Sequence, residues 1–120
     1  MMAKELVILQ KVEDMAAYAY LCIEQFPKSH KFTIGERIQM LIQEIMQLII
    51  ACNKKYYKKT TFQEIDIHLE ALRSFVRIAK SLKILPFHKY EHWASLNDEI
   101  GRMLGGWIKA MDVKALPEKS

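Results

Sequence analysis

His88 and His92 stand four residues apart, the spacing that lets two imidazoles on one helical turn reach the same metal ion. Lys89, Tyr90 and Glu91 lie between them, so the pair is not an HExxH motif, and no other cluster of His, Cys or carboxylate residues supplies a third ligand. Glu64 and His68 are likewise four apart, whereas the carboxylate-bridged di-iron bundles use Glu-x-x-His. His68 falls within the apolar arc of its segment and reads as a hydrogen-bonded core or interface histidine. Cys22 and Cys52 are isolated, without CxxC spacing, and read as reduced, buried thiols. P-loop, GxGxxG, GxSxG and CxxCH patterns are absent. The chain therefore reads as a binding protein and not an enzyme, with no cofactor and no metal expected.

The chemistry that remains is cationic. Arg73, Arg77 and Lys80 are spaced four and three apart, which aligns them along one face of a helix, and Lys83 lies near its end. Lys54, Lys55, Lys58 and Lys59 precede the same segment, with Tyr56 and Tyr57 between them. Arginines can fork onto phosphates, lysines can neutralise them, and tyrosines can stack on unpaired bases. The competing reading is an ordinary solvated face, in which Asp66 and Glu70 pair with Arg73 and Arg77 at helical spacing. The formal net charge of +4 is unevenly placed. Residues 1–53 hold five Lys/Arg against six Asp/Glu, while residues 54–120 hold thirteen against eight, so the second half is the candidate for an anionic partner.

The elements that must position these residues are helices. With only 4 Gly and 3 Pro in 120 residues, a turn-rich β fold is disfavoured. Ile8, Val12, Ala16, Ala19 and Ile23 recur at three and four and predict a first helix over about 4–25, ended by Phe26-Pro27. After a short polar loop over 28–32, Thr33 with Glu36 has the pattern of a capping box. The stripe Ile34, Ile38, Leu41, Ile45, Leu48, Ile49 and Cys52 then predicts a second helix over about 34–55. Thr61 with Glu64 is a second such pattern, opening a third helix over about 62–84. Trp93, Leu96, Ile100, Met103, Trp107 and Met111 mark a fourth over about 88–111, with a frayed tail over 112–120 because of Pro117. Four helices joined by short loops imply an all-α, up-down-up-down antiparallel bundle in one domain spanning 1–120.

Two helices carry more than a bundle requires. In the third, polar residues fill only about a third of the wheel, while a bundle helix buries a stripe of roughly 100°. Ile65, Ile67, Leu69, Ala71, Leu72, Phe75, Val76, Ile78, Ala79 and Leu82 cover most of the rest, and a second subunit is the simplest cover for the surplus, a deeply buried helix in a lopsided monomer being the alternative. In the fourth, Gly101, Gly105 and Gly106 each cost about 1 kcal/mol relative to alanine, which close approach of another helix backbone would offset. Met15–Ile23, the longest uncharged stretch near the start, is far short of the roughly 20 residues a membrane span needs. No signal-peptide layout is present, so the expected location is cytoplasmic, with no membrane partner.

Three segments in order resemble a known family. They are Phe26-Pro27-Lys28-Ser29-His30-Lys31-Phe32-Thr33-Ile34-Gly35-Glu36-Arg37-Ile38, then Leu69-Glu70-Ala71-Leu72-Arg73-Ser74-Phe75-Val76-Arg77, then Gly101-Arg102-Met103-Leu104-Gly105-Gly106-Trp107-Ile108. Together they resemble the Avd family, the accessory proteins of diversity-generating retroelements, over about residues 4–112. The resemblance implies a four-helix bundle that assembles into a homopentameric ring. It implies association with the element's reverse transcriptase and with structured template RNA or an RNA/DNA hybrid, in support of mutagenic cDNA synthesis. Arg73 and Arg77 match the family's basic positions on the third helix, whereas Lys54, Lys55, Lys58 and Lys59 lie in a variable loop and rest on charge alone. A second family of small bundles, encoded within intervening sequences of bacterial 23S ribosomal RNA genes, has a similar Phe-Pro turn. It implies a self-associating structural protein with no polymerase partner.

Overall fold

The computed structural model describes residues 4–119, with side chains described over 7–111. Its elements are α1 (Lys4–Glu24), α2 (Lys28–Lys31), α3 (Ile34–Lys54), α4 (Lys59–Ser81) and α5 (Phe87–Lys119), with no strand among the described residues. The one-turn helix α2 replaces the expected polar loop. The four long helices follow the expected order and pack as a ring, α1 on α3, α3 on α4, α4 on α5 and α5 back on α1. Short connections make each sequence neighbour antiparallel to the next. The fold is thus a four-helix bundle, measuring 55 × 24 × 22 Å.

Helical periodicity builds the shared core. Ile8, Val12, Met15, Ala19 and Ile23 of α1 meet Ile38, Ile42, Ile45 and Ile49 of α3 in one buried cluster. Phe62, Ile65, Leu69, Leu72 and Val76 of α4 and Trp93, Ile100, Leu104 and Trp107 of α5 complete it. Phe62 packs edge-on against Trp107, with centroids 4.9 Å apart. Relative to the expected stripes, Met15, Cys22 and Leu104 go fully inside, while Ala16, Leu48 and Met103 are only half-buried.

Neither expected capping box forms. Thr33 stands at the N-cap of α3 without capping it. Its hydroxyl donates backwards, to the carbonyls of Ser29 at 3.1 Å and His30 at 3.3 Å, because the turn of α2 brings those acceptors nearer than the amides of α3. Helix α4 opens at Lys59, three residues before the expected start, so Thr61 is inside it and buried. The Thr61 hydroxyl oxygen accepts a 3.0 Å bond from Lys55 Nζ. Helix α5 begins at Phe87, with the Tyr90 amide bonded to the Pro86 carbonyl at 2.9 Å, and its backbone stays helical through Lys119 where a frayed tail was expected.

Candidate partner and nucleic-acid interface

Helix α4 has two unlike edges. The edge toward α3 holds His68, half-buried, with Nε2 3.0 Å from Glu44 Oε2 and Nδ1 2.7 Å from the Glu64 carbonyl oxygen. Glu44 also receives Arg37 at 3.4 Å. His68 is therefore a hydrogen-bonded link between the two helices. Around it the excess apolar arc stays uncovered: Ile67 is 64%, Leu82 48% and Ile78 45% exposed, and Ala71 and Phe75 are half-buried. Met40 of α3 is also exposed.

The edge toward α5 holds the arginine stripe, and its members have unlike surroundings. Arg73 lies in the groove between α4 and α5, mostly buried. Its Nη2 donates to the Asn97 carbonyl at 3.3 Å, and its Nη1 is 3.4 Å from Asp98 and 3.7 Å from Glu70. Gly101 makes the room, since a Cβ there would sit 2.6 Å from Arg73 Nη2. The close approach expected at the glycines is thus real at Gly101, but a side chain makes it and not a helix backbone. At Gly105 and Gly106 nothing described comes within 4 Å of where a Cβ would be. Arg77 is exposed, with Nη2 donating to Ser74 Oγ at 3.0 Å. Lys80 Nζ lies 4.3 Å from the ring centroid of Tyr90, a cation–π contact. Lys83 is exposed and ends the helix in the left-handed region at φ 62°. The amide of Lys83 bonds to the Lys80 carbonyl and that of Ile84 to the Ala79 carbonyl, the paired bonds of a Schellman cap.

The lysine loop lies at the other end of α4, roughly 30 Å from Lys80 at 1.5 Å per residue, so the two basic groups are separate surfaces. Two of its lysines are committed to the loop itself. Lys58 Nζ donates to the carbonyls of Cys52 at 2.7 Å and Asn53 at 3.4 Å, and also to that of Lys55, closing the C-terminal end of α3. Lys55 Nζ is the donor to Thr61. Lys54 and Lys59 are exposed, as are Tyr56 and Tyr57.

The remaining reactive groups are dispersed. His88 and His92 are exposed near the start of α5, and His92 packs edge-on against Tyr18 at 4.5 Å. Among the described residues no group of three or more His, Cys, Asp or Glu converges on a possible metal position. Burial pushes the Cys22 and Cys52 thiols up from their ordinary pKa, and both cysteines are free. No helix among the described residues is long and apolar enough to cross a membrane. Sequence reasoning missed Asn97, whose carbonyl holds Arg73, and the Lys58 cap, because both depend on partners that only folding brings near.

The model of the bAvd-like family matches residues 6–111, which span α4, both basic groups and all three segments that carried the resemblance. The chain belongs to the bAvd-like family. No curated protein matches it. In this bAvd-like chain the matched region ends at Met111, the last residue of the α5 apolar stripe.

Proposed function

We propose that this bAvd-like chain is a non-enzymatic accessory protein of a diversity-generating retroelement. It binds the element's reverse transcriptase and structured template RNA, or an RNA/DNA hybrid, and so supports mutagenic cDNA synthesis. It works as a homo-oligomer, a pentameric ring by family resemblance. The observation that carries the reading is the two-edged character of α4 in a chain of this family. An uncovered apolar arc (Ile67, Ile78, Leu82) lies toward α3, and a cationic edge (Arg73, Arg77, Lys80, with Lys83 after it) lies toward α5. Copies covering the arc remove apolar surface from water, worth about 25 cal/mol per Å², and leave the cationic residues for an anionic partner. Arg77 and Lys83 are the members best exposed for such contacts, and the lysine loop, Lys54, Lys55, Lys58 and Lys59, adds charge at the opposite end.

Two measurements test this. Light scattering at micromolar concentration is expected to give a multiple of 14.1 kDa, and a lone 14.1 kDa particle would end the assembly reading. Co-expression with the reverse transcriptase of a diversity-generating retroelement is expected to yield a complex that binds RNA with a steep dependence on salt. Replacing the exposed Arg77 and Lys83 by alanine is expected to weaken that complex while helix content is retained. A self-associating bundle that captures neither polymerase nor RNA would instead fit the intervening-sequence type.

A further inference from the structure

Tyr56 and Tyr57 serve no purpose inside the fold. They are 88% and 85% exposed, above the other aromatic side chains described, and their rings meet edge to face with centroids 4.7 Å apart. The loop that carries them is nonetheless held firmly. Lys58 Nζ grips the carbonyls at the end of α3, and Lys55 Nζ reaches forward to Thr61 at the start of α4. Lys54 and Lys59 flank the rings, and no carboxylate lies in the sequence between Glu44 and Glu64. Large aromatic faces on a braced loop, in a field of one sign, match the surface that single-stranded nucleic acids use. Bases stack on the rings and the backbone tracks the cations. A duplex hides its base faces and gains only from the charge. A protein partner for such rings would draw on aliphatic neighbours, whereas the residues adjoining these tyrosines in the chain are Lys55 and Lys58.

We propose that the α3–α4 loop is a stacking platform for unpaired bases of single-stranded RNA, with Tyr56 and Tyr57 as the stacking residues. This rests on the nucleic-acid reading above and assigns to one end of the bundle the single-stranded part of the template. The edge-to-face pair leaves ring faces open on its outer sides, so a base docks without the loop having to rearrange.

The test is fluorescence anisotropy of the full chain with two probes, a short labelled oligoadenylate and an RNA duplex of the same length. The variants are Tyr56→Ala/Tyr57→Ala and Tyr56→Phe/Tyr57→Phe. Circular dichroism is expected to show unchanged folding, because both rings lie outside the core. Oligoadenylate affinity is expected to fall by about tenfold or more in the alanine variant, the loss typical of removing base–aromatic stacking. The phenylalanine variant is expected to bind like the wild type, and duplex affinity is expected to hold in both. Wild-type binding to both probes with the alanine variant unaffected overturns the platform and leaves the nucleic-acid reading standing. Wild-type binding to neither probe overturns both. An alanine variant that keeps oligoadenylate affinity but no longer co-purifies with the polymerase also overturns the platform, making the loop a protein contact.

Discussion

Replacing Gly101 by alanine sets two effects of known sign against each other. Alanine in place of glycine within a helix gains about 1 kcal/mol from backbone entropy and propensity. The new Cβ, however, would lie 2.6 Å from Arg73 Nη2 and 3.7 Å from Leu69 Cδ2, so the guanidinium has to leave its place. It then gives up the 3.3 Å bond to the Asn97 carbonyl, a charged hydrogen bond worth roughly 1.5–3 kcal/mol when well formed. It also loosens the pairs with Asp98 and Glu70, whose more than half-exposed carboxylates limit each to about 0.2–1 kcal/mol. Recovered hydration keeps the total loss near the low end, about 2 kcal/mol. Gly101→Ala is therefore expected to destabilise the chain by about 1 kcal/mol, a drop of about 4 °C in Tm for a protein of this size. In an Arg73→Ala background the same change is expected to stabilise by about 1 kcal/mol, because only the propensity gain remains. The assay is urea denaturation of the four members of the cycle at one protein concentration, followed by circular dichroism. Equal stabilisation in both backgrounds would refute the reasoning, since no coupling between Gly101 and Arg73 would exist.

Lys83→Gly is expected to stabilise by about 1 kcal/mol, because a left-handed φ of 62° costs a β-carbon-bearing residue what glycine avoids; a lower urea midpoint would show that the lysine side chain contributes more than its backbone costs. Gly105→Ala and Gly106→Ala each have open space for a Cβ and are expected to raise Tm through propensity; a fall in Tm, or a loss of oligomer mass, would mean that another chain packs on that face. Cys22 and Cys52 are buried with raised pKa values, so iodoacetamide is expected to modify neither until urea unfolds the chain. In the unfolded chain these thiols ionise first as pH rises. The stability they contribute is therefore complete below about pH 8.5 and lost as pH climbs through their folded values, which urea midpoints at neutral and alkaline pH can follow.

Much of this protein was legible before folding because it depends on neighbours along the chain. The apolar recurrences of Ile38, Ile45 and Ile49, or of Trp93, Ile100 and Trp107, place residues on one side of a helix whatever lies opposite. The break at Pro27 follows from the missing amide and the crowded ring. The surplus apolar arc of α4 was legible for the same reason, as were the ordered segments that carried the family resemblance. Tertiary structure decided which polar groups are free to act. Arg73 turned inward because a glycine on α5, 28 residues away in sequence, leaves room for its guanidinium beside the Asn97 carbonyl. Thr33 and Thr61 found partners behind them that no capping pattern includes. Lys55 and Lys58 became braces for the loop, while Tyr56 and Tyr57 stayed in water. A periodicity is set by one chain's own geometry, but a hydrogen bond or an ion pair needs a second group at about 3 Å, and only packing the helices supplies that distance.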